Sequence, residues 1–226
     1  MLELASLRPG QRVLDVGCGV GPVAIAAHER VVPGGRVLGF DVDERAIAKA
    51  RLTGGPTLSF EVAAGESFEC VARFDAALAR WSLASMSDPP RALRSIGRAL
   101  EPGSPFVFAT WASAQWWSTP REVIERFVTL PTRPSEAPGS MRFAELERAL
   151  SLLAPTFQFE ASEQLTTPVV EGPPELLVAW VEHVFPAWLG AVPDLEACRT
   201  ALRAEFTSCS RLEGVTHLVL ARRVGS

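Results

Sequence analysis

The sequence predicts an α/β fold in which a mostly parallel sheet carries helices on both faces. Three observations predict it. Short apolar runs alternate with helix-patterned stretches through the first half of the chain. A glycine-rich turn joins the first run to the first helix, and 226 residues suffice for one large core without disulfide or metal staples.

The elements follow in order. Arg12–Val16 and Arg36–Phe40 read as buried strands, separated by a helix from about Pro22 to Arg30. A helix over Glu44–Arg51 leads to a third strand, Thr57–Val62, and Phe74–Ala79 reads as a fourth. Asp88-Pro89-Pro90 supplies a cap and a proline-led first turn, after which Ala92, Leu93, Ile96, Ala99 and Leu100 form one helical stripe. Glu101-Pro102-Gly103 stops that helix and turns into a fifth strand, Pro105–Thr110. The second half changes character. Pro131, Pro134 and Pro138 mark a loop between helices over about Pro120–Thr129 and Phe143–Leu153. Phe157–Thr167 reads as a strand, Pro173–Leu189 and Asp194–Phe206 as helices, and Val215–Arg223 as a closing strand. One domain is expected over 1–226, with helical insertions at about 113–150 and 171–207. These insertions are expected to form a lid over the carboxyl ends of the strands, where such sheets bind ligands.

Composition removes several classes. A formal net charge of −4, with arginines scattered among acids, argues against nucleic acid as the partner. Cys18, Cys70, Cys198 and Cys209 form no CxxC pair, so no metal site is expected. No apolar stretch is long enough for a membrane span, and Met1–Gly10 lacks the pattern of a signal peptide. A cytoplasmic protein is expected.

The most informative stretch is Val13-Leu14-Asp15-Val16-Gly17-Cys18-Gly19-Val20-Gly21-Pro22. A buried strand ends in an acid and runs through three alternate glycines into a helix. Glycines let the chain turn tightly and let a ligand approach where a Cβ would clash. A dinucleotide fingerprint needs G-x-G-x-x-G, and here Pro22 stands where its third glycine packs helix on strand. Asp15, ahead of the first glycine, suits a ligand with a cationic amino group better than a pyrophosphate. Asp41 stands 20 residues beyond Gly21 at the tip of the second strand, where a carboxylate accepts both ribose hydroxyls. The competing role for Asp41 is a helix cap, which Asp43 fills more naturally by position.

The chain resembles the class I S-adenosylmethionine (SAM)-dependent methyltransferases, particularly the small-molecule branch near the ubiquinone and menaquinone biosynthesis enzymes (methyltransferase type 11-like). Val13–Gly19, Gly39-Phe40-Asp41-Val42-Asp43, Phe74–Arg80, Asp88–Leu93, Leu100–Gly103, Trp111 and Leu218–Arg223 carry the resemblance. It implies a Rossmann-like seven-stranded sheet in the order 3-2-1-4-5-7-6 with the last strand antiparallel. It implies that Asp15 and the loop of Gly17, Cys18 and Gly19 hold the methionine end of SAM, with Arg80 near it. Asp41 would hold the ribose, Val42 would pack on the adenine, and Ala64 and Gly65 would offer backbone contacts to the base. Two departures stand out. Relatives often carry an aspartate for the adenine amino group where this chain has Ala64, with Glu66 as a possible substitute. Relatives also carry helices before the first strand, so a more open site, a cover from another chain or a trimmed start is expected.

Transfer of a methyl from a sulfonium is an in-line displacement that needs few catalytic side chains, although a base helps a hydroxyl or acidic-carbon acceptor. His28 lies on the first helix, facing away from the chemistry, and His217 lies in the last strand. His183, in the expected lid, is the candidate base. Trp111, Trp116, Trp117 and Trp180 are candidates for a pocket that takes a lipophilic or aromatic small-molecule acceptor. Alongside them stand packing roles within the lid's own core. SAM, leaving as S-adenosylhomocysteine (SAH), is the expected cofactor. The alternatives are a SAM-binding protein that transfers no methyl (a lyase, cyclase or regulatory subunit) and, more remotely, an NAD-dependent oxidoreductase.

Overall fold

The computed structural model describes residues 1–71, 73–132 and 139–225, so Pro134 and Pro138 of the expected loop lie outside the described residues. The first half of the chain alternates strand and helix as its hydrophobic pattern demands. Strand β1 (Arg12–Val16) is followed by α1 (Pro22–Val31), β2 (Arg36–Asp41), α2 (Glu44–Ala50) and β3 (Leu58–Val62). Then come β4 (Ala76–Arg80), α3 (Pro89–Ala99) and β5 (Pro105–Ala114). These five strands pair in parallel, with Val13 opposite Val37 and Ala76, and Ala77 opposite Phe106. The closing strands are β6 (Phe157–Glu171) and β7 (Arg211–Arg223), and the seven-stranded sheet runs β3-β2-β1-β4-β5-β7-β6. β7 is antiparallel, and hydrogen bonds from Gly103 N to Arg223 O and from Arg223 N to Ser104 O tie it beside β5.

The period of two along each strand divides the core between the two faces of the sheet. Leu14, Val16, Ala77 and Ala79 share one cluster with Leu93 and Ile96 of α3. Val13, Val37, Ala76 and Leu78 share another with Ala24 and Ala27 of α1 and Ile47 of α2. Strands covered on both faces explain the near-continuous apolar runs. Several boundaries differ from expectation, among them the ends of β5 and α5 and the start of β7, and three have a clear physical reason. β4 starts at Ala76 rather than Phe74, which makes only an isolated bridge to Leu100. α4 (Gln115–Ile124) starts five residues before Pro120, which sits inside the helix and has no N–H of its own to donate one turn back. β6 continues through Pro168, which an edge strand tolerates because one row of its N–H groups needs no partner.

Two compact units result. The first holds Met1–Trp111 with the described residues of 138–164 and 217–226, and the second the described residues of 112–137 and 165–216. Helix α5 (Leu146–Ser151), inside the expected first insertion, belongs to the first unit. Its Ala149 packs with Leu153, Phe106 and Phe157. The second unit contains α4, α6 (Pro174–Val184), α7 (Pro186–Leu189) and α8 (Leu195–Ser208). Pro186 breaks the helix expected over Pro173–Leu189 in two. Val123, Ile124, Leu177, Val181, Leu202 and Phe206 form this unit's own core. No helix among the described residues is long and apolar enough to cross a membrane.

Candidate functional site

The carboxyl ends of β1, β2 and β4 and the turn after β3 converge on one region of the first unit. At the tip of β1, Asp15 is only 1% exposed. Its carboxylate accepts the backbone N–H of Ala24, in the first turn of α1, while Oδ2 has no partner at all. Burial pushes this carboxyl up to about 7, against the help of the Ala24 N–H and the Arg80 charge, and the Asp41 charge adds to the rise. Beyond Asp15, two glycines have separate reasons. A Cβ on Gly17 would stand 2.3 Å from Ser82 Cβ, because Ser82 reaches over to donate its Oγ hydrogen to Val16 O at 2.6 Å. Gly19 has φ +55 and nothing within 4 Å of where a Cβ would stand, so the loop offers bare backbone to open space there. Cys18 is buried, its thiol pushed up to about 12 by that burial and by the nearby carboxylates, and it has no reactive character.

At the tip of β2, Asp43 caps α2, its Oδ1 accepting from Arg45 N at 2.8 Å and Ala46 N at 3.3 Å. Asp41 is a different kind of residue. Its Oδ2 accepts from Gly19 N at 2.8 Å and its Oδ1 from Asp43 N at 3.0 Å, which locks the carboxylate to the glycine loop. Val42 beside it is 67% exposed. After β3, Ala64 leads into a short 3-10 turn, Gly65–Ser67. Glu66 lines the same cleft as Ala64 and Gly65, and its Oε1 accepts from Ser87 N at 2.8 Å and Asp88 N at 3.2 Å at the start of α3.

A cleft of about 710 Å³ is lined by Asp41, Val42, Ala64, Gly65 and Met86, among others. A smaller hollow of about 260 Å³ is lined by Asp15, Cys18, Gly19 and neighbours, and Gly17, Arg80 and Trp81 line both. All nine residues expected at the cofactor end therefore lie along these two adjoining hollows. Sequence reasoning missed Trp81, Ser82 and Met86. An aromatic directly after a buried strand reads as core, and only the polar Ser82 behind it hinted at a turn.

The residues expected at the acceptor end divide. Trp111 is 5% exposed and stacks on Trp81 with ring centroids 4.3 Å apart. Trp116, Trp117, Trp180 and His183 belong to the second unit. There Trp116 meets Trp180 edge-on at 6.1 Å and stacks on Phe185 at 6.2 Å, and Trp117 meets Trp188 at 5.8 Å. His183 is exposed near the end of α6. His217 is a packed histidine, its ring nitrogens 3.1 Å from Ala144 O and 3.3 Å from Gln164 Nε2.

Residues 1–198 match the family described as methyltransferase domain. The chain belongs to that family. It shares its fold with a TehB-like SAM-dependent methyltransferase of Corynebacterium glutamicum, at a TM-score of 0.52 and 17% identity over 98% of this chain and 85% of that one. Among curated relatives, it is 28% identical over 146 residues to a demethylmenaquinone methyltransferase of Symbiobacterium thermophilum, covering 57% of this chain and 58% of that one. It is 38% identical over 107 residues to nocamycin O-methyltransferase of Saccharothrix syringae, covering 45% of this chain and 38% of the relative. The methyltransferase thus spans less than two thirds of the length of these relatives. Among solved structures it shares its fold with the 4+2 cyclase SpnF, at a TM-score of 0.60 and 20% identity over 99% of this chain and 79% of that one.

Proposed function

We propose that this methyltransferase moves the methyl group of SAM to a small lipophilic or aromatic acceptor. The observation that carries the reading is the Asp15 carboxylate, buried, ionisable and with one oxygen lacking any donor. Such a group costs free energy unless a donor arrives, and an ammonium is the donor that suits it best. The open backbone at Gly19, the Asp41 carboxylate one step along and the apolar rim at Val42 complete a fit to an amino acid joined to a nucleoside. On this reading Asp15 and the backbone of Gly17, Cys18 and Gly19 hold the amino acid end, with Arg80 beside it. Asp41 holds the ribose hydroxyls, Val42 packs on the base, and Ala64 and Gly65 offer backbone to its edge.

When bound, the cofactor supplies a methyl on a sulfonium, which leaves by in-line displacement. The chain's own task is alignment and exclusion of water, and alignment alone is worth roughly 7–11 kcal/mol. We assign the acceptor wall to Trp111, Trp116, Trp117 and Trp180, and the lid to the insertions at about 113–150 and 171–207 without helix α5, which packs into the core of the sheet. His183 is the candidate base where the acceptor needs one. The relatives named for demethylmenaquinone and nocamycin support a small-molecule acceptor, as does the acidic net charge of −4.

The test is incubation with methyl-labelled SAM and a panel of quinone, phenol and polyketide acceptors. Label appearing in an organic-soluble product supports the reading. SAH binding without label in any acceptor supports the non-transferring alternative instead.

A further inference from the structure

The turn that follows β4 holds its first residue in a strained conformation. Trp81 has φ +58, a left-handed conformation that bulky side chains rarely adopt. Such strain persists where the surroundings over-determine it. Here they do. The Trp81 N–H donates to Ala109 O at 3.0 Å, and the next residue, Ser82, is pinned to Val16 O at 2.6 Å. The result is a half-buried indole placed at the joint of the two hollows. Its ring lies against the buried Trp111, 4.3 Å between centroids and 16° between planes.

What occupies that ring is itself a cation. The Arg80 guanidinium carbon stands 4.8 Å from the Trp81 ring centroid, and Arg80 is close enough to Asp15 to act on its carboxyl. Both are places where the ligand of the proposed reading would bring positive charge. Its ammonium belongs with Asp15 in the smaller hollow and its nucleoside in the larger cleft. The sulfonium that joins them must then lie at the boundary formed by Gly17, Arg80 and Trp81, the residues common to both. Gly17 offers no charge, and Arg80 repels a cation. The π face of Trp81 is the group there that attracts one.

We infer that the Trp81 ring, backed by Trp111, holds the sulfonium of the cofactor, and that Arg80 leaves the ring when it does. This inference rests on the proposed cofactor reading and adds to it a means of telling charged cofactor from neutral product. Trp81 is thereby a positioning residue for the methyl group, and it favours release of SAH once the charge is gone.

The test compares SAM and SAH affinities by calorimetry, so it needs no acceptor. Trp81→Asn removes the ring while keeping a residue that tolerates left-handed backbone. It is expected to weaken SAM about five- to tenfold and SAH less than about twofold. Trp81→Phe restores part of the face, so SAM alone should lose about two- to threefold. Equal loss of both ligands in either variant, or no loss in either, overturns the inference. Should the asparagine variant fail to fold, the phenylalanine variant decides by the same criterion. If the wild type binds neither SAM nor SAH, the cofactor reading itself falls, a different result from a variant that loses both alike.

Discussion

Asp15 shows how a single buried side chain couples the fold to its ligand. Its carboxyl is raised to about 7, chiefly by burial. The folded chain therefore holds a proton that the unfolded chain has already released. Stability from this group is fullest below the ordinary carboxylate range, near pH 4, and is lost as pH rises to about 7. Asp15→Asn removes that loss. The variant without cofactor should melt several degrees above wild type at pH 8, at about 2–4 °C per kcal/mol for a chain of this size, and level with it near pH 4. A thermal scan at the two pH values checks this, and equal melting temperatures at pH 8 would show that Asp15 is solvated. Ala64 gives a second residue-scale prediction. Glu66, the carboxylate named as a substitute at the base, has its Oε1 committed to Ser87 N and Asp88 N. Ala64→Asp should then tighten SAH about three- to tenfold, the range of one added charge-assisted hydrogen bond less its ordering cost. Unchanged affinity would mean that backbone at Ala64 and Gly65 already satisfies the amino group.

At the scale of elements, the convergence of the residues proposed for the cofactor was legible because their spacing is local. An acid, three alternate glycines and a second acid 20 residues on are strand tips and a loop in one βαβ unit, and their spacing survives folding. Trp81 was not legible, because the role proposed for it comes from a positive φ and from contacts with β5 that lie far away in sequence. The start of α4 was misread for a physical reason too. Pro120 has the signature of a first-turn proline, yet Val123 and Ile124 anchor the helix in the core of the second unit and carry Pro120 inside. The aromatic residues of α4 and α6 meet one another, Trp116 with Trp180 and Phe185. If these helices act as the lid we propose, Trp180→Ala should leave SAH affinity within about twofold while lowering single-turnover methyl transfer tenfold or more. A variant that unfolds would assign Trp180 to packing, and one that turns over normally would place the acceptor elsewhere.

For the whole molecule, the sheet order that the resemblance to class I methyltransferases implied, 3-2-1-4-5-7-6, is the order observed, while the β-α rhythm by itself gave only a parallel sheet covered on both faces. The division into units followed from neither. Residues 139–150 lie between two prolines-and-helix stretches that read as one insertion, but Phe143 and Ala149 bury against Phe106 and Phe157 and so join the sheet. Hydrophobic pattern shows that a helix has an apolar face, and it does not say which core that face will enter. The central claim, that the tips of β1 and β2 hold SAM, has a direct test in titration calorimetry of SAH against wild type, Asp41→Ala and Asp41→Asn. Asparagine keeps an oxygen for the Gly19 N–H and so separates ligand contacts from loop support. The account predicts binding to the wild type and a loss of about tenfold to a hundredfold in both variants, the worth of a hydrogen bond to a charged group. No binding of SAH to the wild type, or affinity unchanged in both variants, would contradict it.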